Sequence, residues 1–145
     1  MFLGQVVCTK DAKDRVGLPV IFRELLFEQV VMTQGFDRNI LILPQEVFVA
    51  LSFRLSSLNL ADPNVRRLQR ILLGNAAYLQ INKNGTVQIP AVLRDFAGLG
   101  SKVVMVGQGK YLELWCQEVW QREIALYHDT DANSDKFISL NLSGL

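Results

Sequence analysis

Within the six residues from Lys10 to Arg15, three cations (Lys10, Lys13, Arg15) and two carboxylates (Asp11, Asp14) share a short polar run between apolar stretches. Residues 5–9 and 15–18 alternate as short strands on either side, so the pattern predicts a β-hairpin with a charged tip. The chemistry open to such a tip is recognition. A two-stranded ribbon fits the major groove of B-DNA, and an arginine there can bond guanine O6 and N7 together, worth ~1–3 kcal/mol of discrimination. Arg15 is the first candidate for base reading and Lys13 for a second base or phosphate contact. Lys10 is placed as a phosphate contact, adding affinity and salt dependence without sequence information. Asp11 is suited to position Arg15 or to close the turn through its own backbone, and Asp14 either accepts from cytosine N4 or simply tolerates the turn geometry. Charge runs of mixed sign are most often solvated tips, so the rest of the chain must decide.

Covalent and metal chemistry find little support. The single His128 has no Cys, His or Asp cluster at ligand spacing, so neither a metal site nor a Cys-His pair is legible, and no cofactor or small-molecule substrate is expected. Cys8 and Cys116 lie in strand-like apolar settings without CxxC spacing, which suits buried free thiols in a reducing compartment. No dinucleotide or Walker A pattern occurs, and Gly98-Leu99-Gly100-Ser101 reads as the turn closing a helix. The apolar runs Ile40–Leu43 and Val103–Val106 are far shorter than the roughly 20 residues that span a bilayer. The apolar start lacks a positively charged region and meets charge at once, unlike a signal peptide. A cytoplasmic location without membrane contact is the expectation.

The 145 residues are 50% apolar and carry 15 Lys plus Arg against 14 Asp plus Glu, enough for a core and too balanced to drive nucleic-acid binding by net charge. Residues 1–128 hold 14 basic and 11 acidic side chains, and residues 129–145 hold one and three. The body is therefore the more positive part.

An internal repeat organises these residues. A shift of 71 carries Val16, Leu18, Pro19, Ile21, Arg23 and Glu24 onto Val87, Ile89, Pro90, Val92, Arg94 and Asp95. A shift of 72 carries Val31 and Gly35 onto Val103 and Gly107, and Ile40-Leu41-Ile42 onto Leu112-Glu113-Leu114. Half a chain of this length buries its apolar face poorly alone, so the two copies are expected to complete one core. In the first copy a helix is expected over 20–26 after Pro19, then strands at 30–33 and 39–43. In the second, strands are expected at 77–82 and 86–89 around Lys83-Asn84-Gly85, a helix from Pro90 to about 97, and strands at 102–106 and 111–115. Longer helices should follow Pro44 and Cys116, and Asp62-Pro63 should open a helix carrying Arg66, Arg67 and Arg70. These arginines, with Arg23 and Arg94, are read as structural. Phe2, Leu3, Trp115 and Trp120 suit either a subunit contact or the core.

The opening Met-Phe-Leu-Gly, the stretch KDAKDRVGLPVIFR at 10–23, GFDRNILILP at 35–44 and NKNGTVQIPAVLRDFAGL at 82–99 together resemble the MraZ family. The likeness spans about residues 1–125. It implies an α+β fold of two interlocked ββαβ-type AbrB-like repeats forming a double-split, swapped-hairpin β-barrel with flanking helices. The repeats would occupy 1–58 and 77–128, joined by a helix in 59–76 and followed by a poorly ordered tail at 129–145. It further implies a ring-shaped homo-oligomer, an octamer or dodecamer, that binds direct repeats in double-stranded promoter DNA and represses transcription. The family's D-x-x-x-R motif survives as Asp11 to Arg15, with Asp14 where Gly or Asn is commoner. The second copy reads Asn82-Lys83-Asn84-Gly85-Thr86 and lacks both acid and arginine, leaving Lys83 as a secondary phosphate contact. Two rival readings stay open: an oligomeric interaction module with reduced or no DNA recognition, and an antitoxin-like relative whose tail folds onto a partner.

Overall fold

The computed structural model describes residues 1–142. The first half runs β1 (Gln5–Thr9), β2 (Arg15–Gly17), α1 (Val20–Arg23), β3 (Gln29–Gln34), β4 (Ile40–Pro44) and α2 (Gln45–Ser56). After α3 (Pro63–Leu72) the order returns as β5 (Ala77–Gln80), β6 (Thr86–Gln88), α4 (Ala91–Ala97), β7 (Lys102–Gly107), β8 (Leu112–Cys116) and α5 (Gln117–Ala125). The punctuation follows from single residues. Pro19 and Pro90 stand at the N-caps of α1 and α4, where a missing N–H costs nothing. Asp62 caps α3 by accepting from the Asn64 N–H at 2.8 Å. Gly98, at φ +62°, ends α4 in the left-handed conformation expected there. The helix expected over 20–26 is shorter: α1 stops at Arg23, the Leu25 and Leu26 N–H groups turn back only three residues to Phe22 O and Arg23 O, and Phe27 at φ +53° ends these turns.

The ladders are all antiparallel and join the halves. One six-stranded sheet has the order β1-β7-β8-β4-β3-β5, and β2 pairs with β6 in a separate two-stranded ribbon. The expectations of β3–β4 and β7–β8 hairpins hold. The expected β1–β2 hairpin does not: β1 runs along β7 from Gln5↔Val106 to Thr9↔Lys102, β2 runs along β6, and only the Lys10↔Val16 bridge links the first two strands. Pairing between copies covers one edge each of β6 and β7, with β5 taken by β3 instead of β6, and buries the same apolar positions. The sheet is open, with β1 and β5 as its edges, so the fold is a mixed α+β arrangement of a mostly antiparallel sheet with helices on both faces.

Beneath the ribbon lie α1 and α4, and Val16, Phe22, Leu26, Val87, Ile89 and Leu93 pack with Met32, Ile40, Met105 and Leu114 of the inner sheet face. The outer face meets α2 and α3 through Val31, Leu41 and Leu43, and α5 through Val104, Val106 and Trp115. Strands buried on both faces explain the unbroken apolar runs at 40–43 and 103–106. Phe2 and Trp115 are core, the Trp120 ring packs tilted against Trp115 at 5.3 Å, and Leu3 is exposed. Cys8 and Cys116 lie on either side of Val103 in one row of the sheet. Two strand spacings put them roughly 10 Å apart, beyond disulfide reach. In the tail, Asp129 caps a further helix, α6 (Thr130–Ile138), by accepting from the Ala132 N–H at 3.1 Å. The last three residues of the tail lie outside the described residues. Among the described residues no helix is long and apolar enough to cross a membrane.

Phe22 is 1% exposed and faces the Phe2 ring at 6.2 Å. Phe22→Ala is expected to lower unfolding free energy by about 3–5 kcal/mol, seen as a fall in the urea midpoint without a change in slope.

Candidate nucleic-acid interface

Both tips are built on the same four-residue turn, one from each copy. At the first, the Asp14 N–H donates to Asp11 O (3.1 Å) and the Asp11 N–H to Arg15 O (2.9 Å). At the second, the Gly85 N–H donates to Asn82 O and the Asn82 N–H to Thr86 O, both at 2.9 Å. The leading side chain closes each loop in the same way. Asp11 Oδ1 accepts from the Lys13 and Arg15 N–H groups, and Asn82 Oδ1 accepts from those of Asn84 and Thr86. The fourth residue takes positive φ in both, +61° at Asp14 and +73° at Gly85. Asp14 thus occupies a position that favours Gly or Asn, in keeping with the family pattern that the resemblance implied.

What differs is the chemistry carried on this shared backbone. Asp11 Oδ2 accepts from Arg15 Nε at 2.8 Å, with both side chains a little under half exposed. The guanidinium is therefore held through its inner nitrogen, and its two terminal nitrogens have no partner among the described residues. The Arg15 amide hydrogen bond above all, helped by the bond from its side chain, holds the Asp11 carboxyl below its usual range despite an opposing desolvation effect. Asp14 is pinned from two sides: Lys10 Nζ donates to Oδ1 at 2.9 Å and Arg94 Nη1 to Oδ2. The Lys10 bond, then that of Arg94, holds this carboxyl below the usual range too. Arg94 also binds Asp95 at 2.9 Å. Its repeat counterpart Arg23 lies over the second tip, so close that a Cβ on Gly85 would sit 1.8 Å from its Nη1. The structural reading of both arginines is thereby explained: each spans from the helix of one copy to the tip of the other.

The sequence-derived residues consequently divide. Lys13 and Lys83 are exposed, Arg15 is exposed and oriented, and Lys10 and Asp14 anchor the tip, with the Lys10 side chain only 10% exposed. Between the tips runs the β2–β6 ribbon. Val16 and Val87 face the core, so Arg15 and Gln88, paired across the strands, share the outward face with Gly17 and Thr86. Gln88 was not singled out by sequence: alternation after Val87 places it outward, but only the strand pairing sets it beside Arg15. Elsewhere, Arg66 Nη1 donates to Leu60 O and Ala61 O near the start of α3, a structural use. Phe36, Leu41, Leu43, Val47, Leu51 and Tyr111 line a largely apolar trough of about 680 Å³, with Glu46, Arg54, Gln108 and Lys110 also in its lining. Among the described residues no three His, Cys, Asp or Glu side chains stand together as a metal cluster.

Asn82 shows that an amide oxygen suffices to close the turn. Asp11→Asn should therefore keep the Lys13 and Arg15 amides protected from hydrogen exchange, while Asp11→Ala should expose both. A folded-state carboxyl below the ordinary value of about 3.9 makes its contribution fully above that value and loses it as pH falls through the lower folded one. Amide shifts at 11–15 are accordingly expected to stay constant from neutrality to about pH 4 and to move only below it.

The family model described as "MraZ protein, putative antitoxin-like" matches residues 1–71 and again residues 72–136. A protein of Roseiflexus castenholzii named Transcriptional regulator MraZ is 38% identical over 137 residues, covering 94% of each chain. Proteins of the same name from Herpetosiphon aurantiacus (35% identity, 89% of this chain and 90% of the relative) and Nitrosomonas europaea (37% identity, 90% and 93%) align over most of their length too. With two matched copies, each carrying the tip turn, and relatives alike along nearly the whole length, the chain belongs to the MraZ family.

Proposed function

We propose that this protein is a sequence-specific transcription regulator, a repressor, that reads direct repeats in double-stranded promoter DNA through its first tip and the adjoining ribbon. The observation that carries the reading is the state of Arg15. Its Nε is held by Asp11 while both terminal nitrogens are left without a partner among the described residues, on an exposed residue of a two-stranded ribbon, the fork needed for bidentate bonding to guanine O6 and N7 in the major groove. The relatives' shared name, Transcriptional regulator MraZ, supports the same class. Lys13 and Lys83, exposed at opposite ends of the ribbon, are suited to neighbouring phosphates. Lys10, held by Asp14, contributes positive potential more than a direct contact.

A single tip and ribbon with so few cations binds DNA weakly and in a salt-sensitive way. A ring-shaped homo-oligomer resolves this, because each engagement after the first is intramolecular and can raise avidity by ~10² to 10⁴ where operator spacing matches. Head-to-tail subunits present every tip in one orientation, which calls for direct repeats. The ribbon laid over the sheet, with strands exchanged between copies, is the part of the structure that supports a swapped-hairpin, double-split barrel. A protein acting on promoters in this way works in the cytoplasm at the nucleoid, with no membrane role. The second tip, where Asn82 and Thr86 replace acid and arginine, is the feature that favours the rival interaction module.

Duplex DNA bearing tandem repeats from the region upstream of its own gene should be shifted by the purified protein. Arg15→Ala should abolish the shift while sedimentation shows the same oligomer. An intact oligomer of the unaltered protein that shifts no DNA even at low salt would decide for the interaction module.

A further inference from the structure

We infer that the second repeat contributes its own base-reading group, Gln88, which recognises an adenine beside the guanine read by Arg15. The inference rests on the DNA-reading function proposed above and names the residue pair that sets its specificity. Arg15 and Gln88 are register partners in the β2–β6 ribbon, and partners in an antiparallel pair project to the same face. That face is the outward one, since the intervening partners Val16 and Val87 are 0% and 1% exposed. Gln88 is exposed, and its amide makes no hydrogen bond among the described residues. By contrast, the Thr86 hydroxyl is taken by Asn82 Nδ2, and Gly17 offers no side chain, with open space where its Cβ would stand. Along the ribbon the outward polar groups left for a ligand are thus Arg15 and Gln88.

The pair has the chemistry of two different bases. A glutamine amide gives one donor and one acceptor, matching adenine N7 and N6, whereas the arginine fork gives two donors, matching guanine N7 and O6. Cross-strand Cβ atoms are about 4.5–5.5 Å apart and base pairs rise about 3.4 Å per step. The two side chains therefore reach base pairs one or two steps apart. The bare position at Gly17, two residues along β2 from Arg15, lets the base edges approach the ribbon backbone beside the pair. Loss of the arginine motif from the second tip does not leave the second repeat silent, because its strand supplies half of the composite reading surface.

In vitro selection from a randomised duplex library with the full-length protein, Gln88→Ala and Arg15→Ala tests this. The unaltered protein should enrich a guanine with an adenine one or two steps away. Gln88→Ala should keep the guanine and the oligomer but lose about 5- to 150-fold discrimination at the adenine. Replacing that adenine by 7-deaza-adenine, which lacks the N7 acceptor, should weaken binding of the unaltered protein and leave Gln88→Ala unaffected. If Arg15→Ala loses the guanine while Gln88→Ala retains the full adenine preference, the role of Gln88 falls and the reading through Arg15 stands. If the unaltered protein enriches no sequence, both fall together.

Discussion

Val16 and Val87 face each other across a ladder of only three residues from each copy, and the functional surface depends on that meeting. Their burial aims the alternate residues of both strands outward. The same ladder sets each tip against the opposite copy, with the Leu18 N–H donating to Gly85 O and the Ile89 N–H to Asp14 O, both at 2.9 Å. A strand of three residues has almost no stability alone. It persists because the sheet below is shared, β1 lying on β7 and β5 on β3, so that neither copy can withdraw its ribbon strand without opening the other's core.

Duplication preserved a backbone and let its side chains diverge. Positive φ at Asp14 and Gly85, an oxygen from Asp11 or Asn82 on two following amides, and an arginine reaching over from the other copy recur at both tips. In the first copy a charged residue at the left-handed position turns the contact with Arg94 into an ion pair that also restrains Lys10. In the second a glycine leaves Arg23 lying directly on the backbone. One tip is thus fastened electrostatically and the other by close packing, and the fastening arginines are withdrawn from any ligand.

Much of the architecture could be read along the chain because it rests on local causes. The repeat at shifts of 71 and 72, the prolines before α1 and α4, the Asp62 cap and the glycine closing α4 each act within a few residues of their own position. The same holds for Asp11, whose oxygens bond residues two and four positions away. The β1–β2 pairing was misread because alternation reports which face a strand buries and says nothing of its neighbour. Gln88 escaped notice for a related reason: an exposed glutamine in a short strand is unremarkable until its cross-strand partner is known.

The order of residues by itself determined that there are two copies, that each presents a polar turn between short strands, and that Asp11 and Arg15 stand four apart where they can bond. Which copy's strand lies beside which, and therefore that Arg15 and Gln88 share a face while Lys10 and Asp14 are tied down by Arg94, was decided only in three dimensions. The physical reason is range. Dihedral preferences, caps and turn closures are set within a few residues, whereas the choice of a strand partner is made by the whole buried core, through contacts between residues about seventy positions apart.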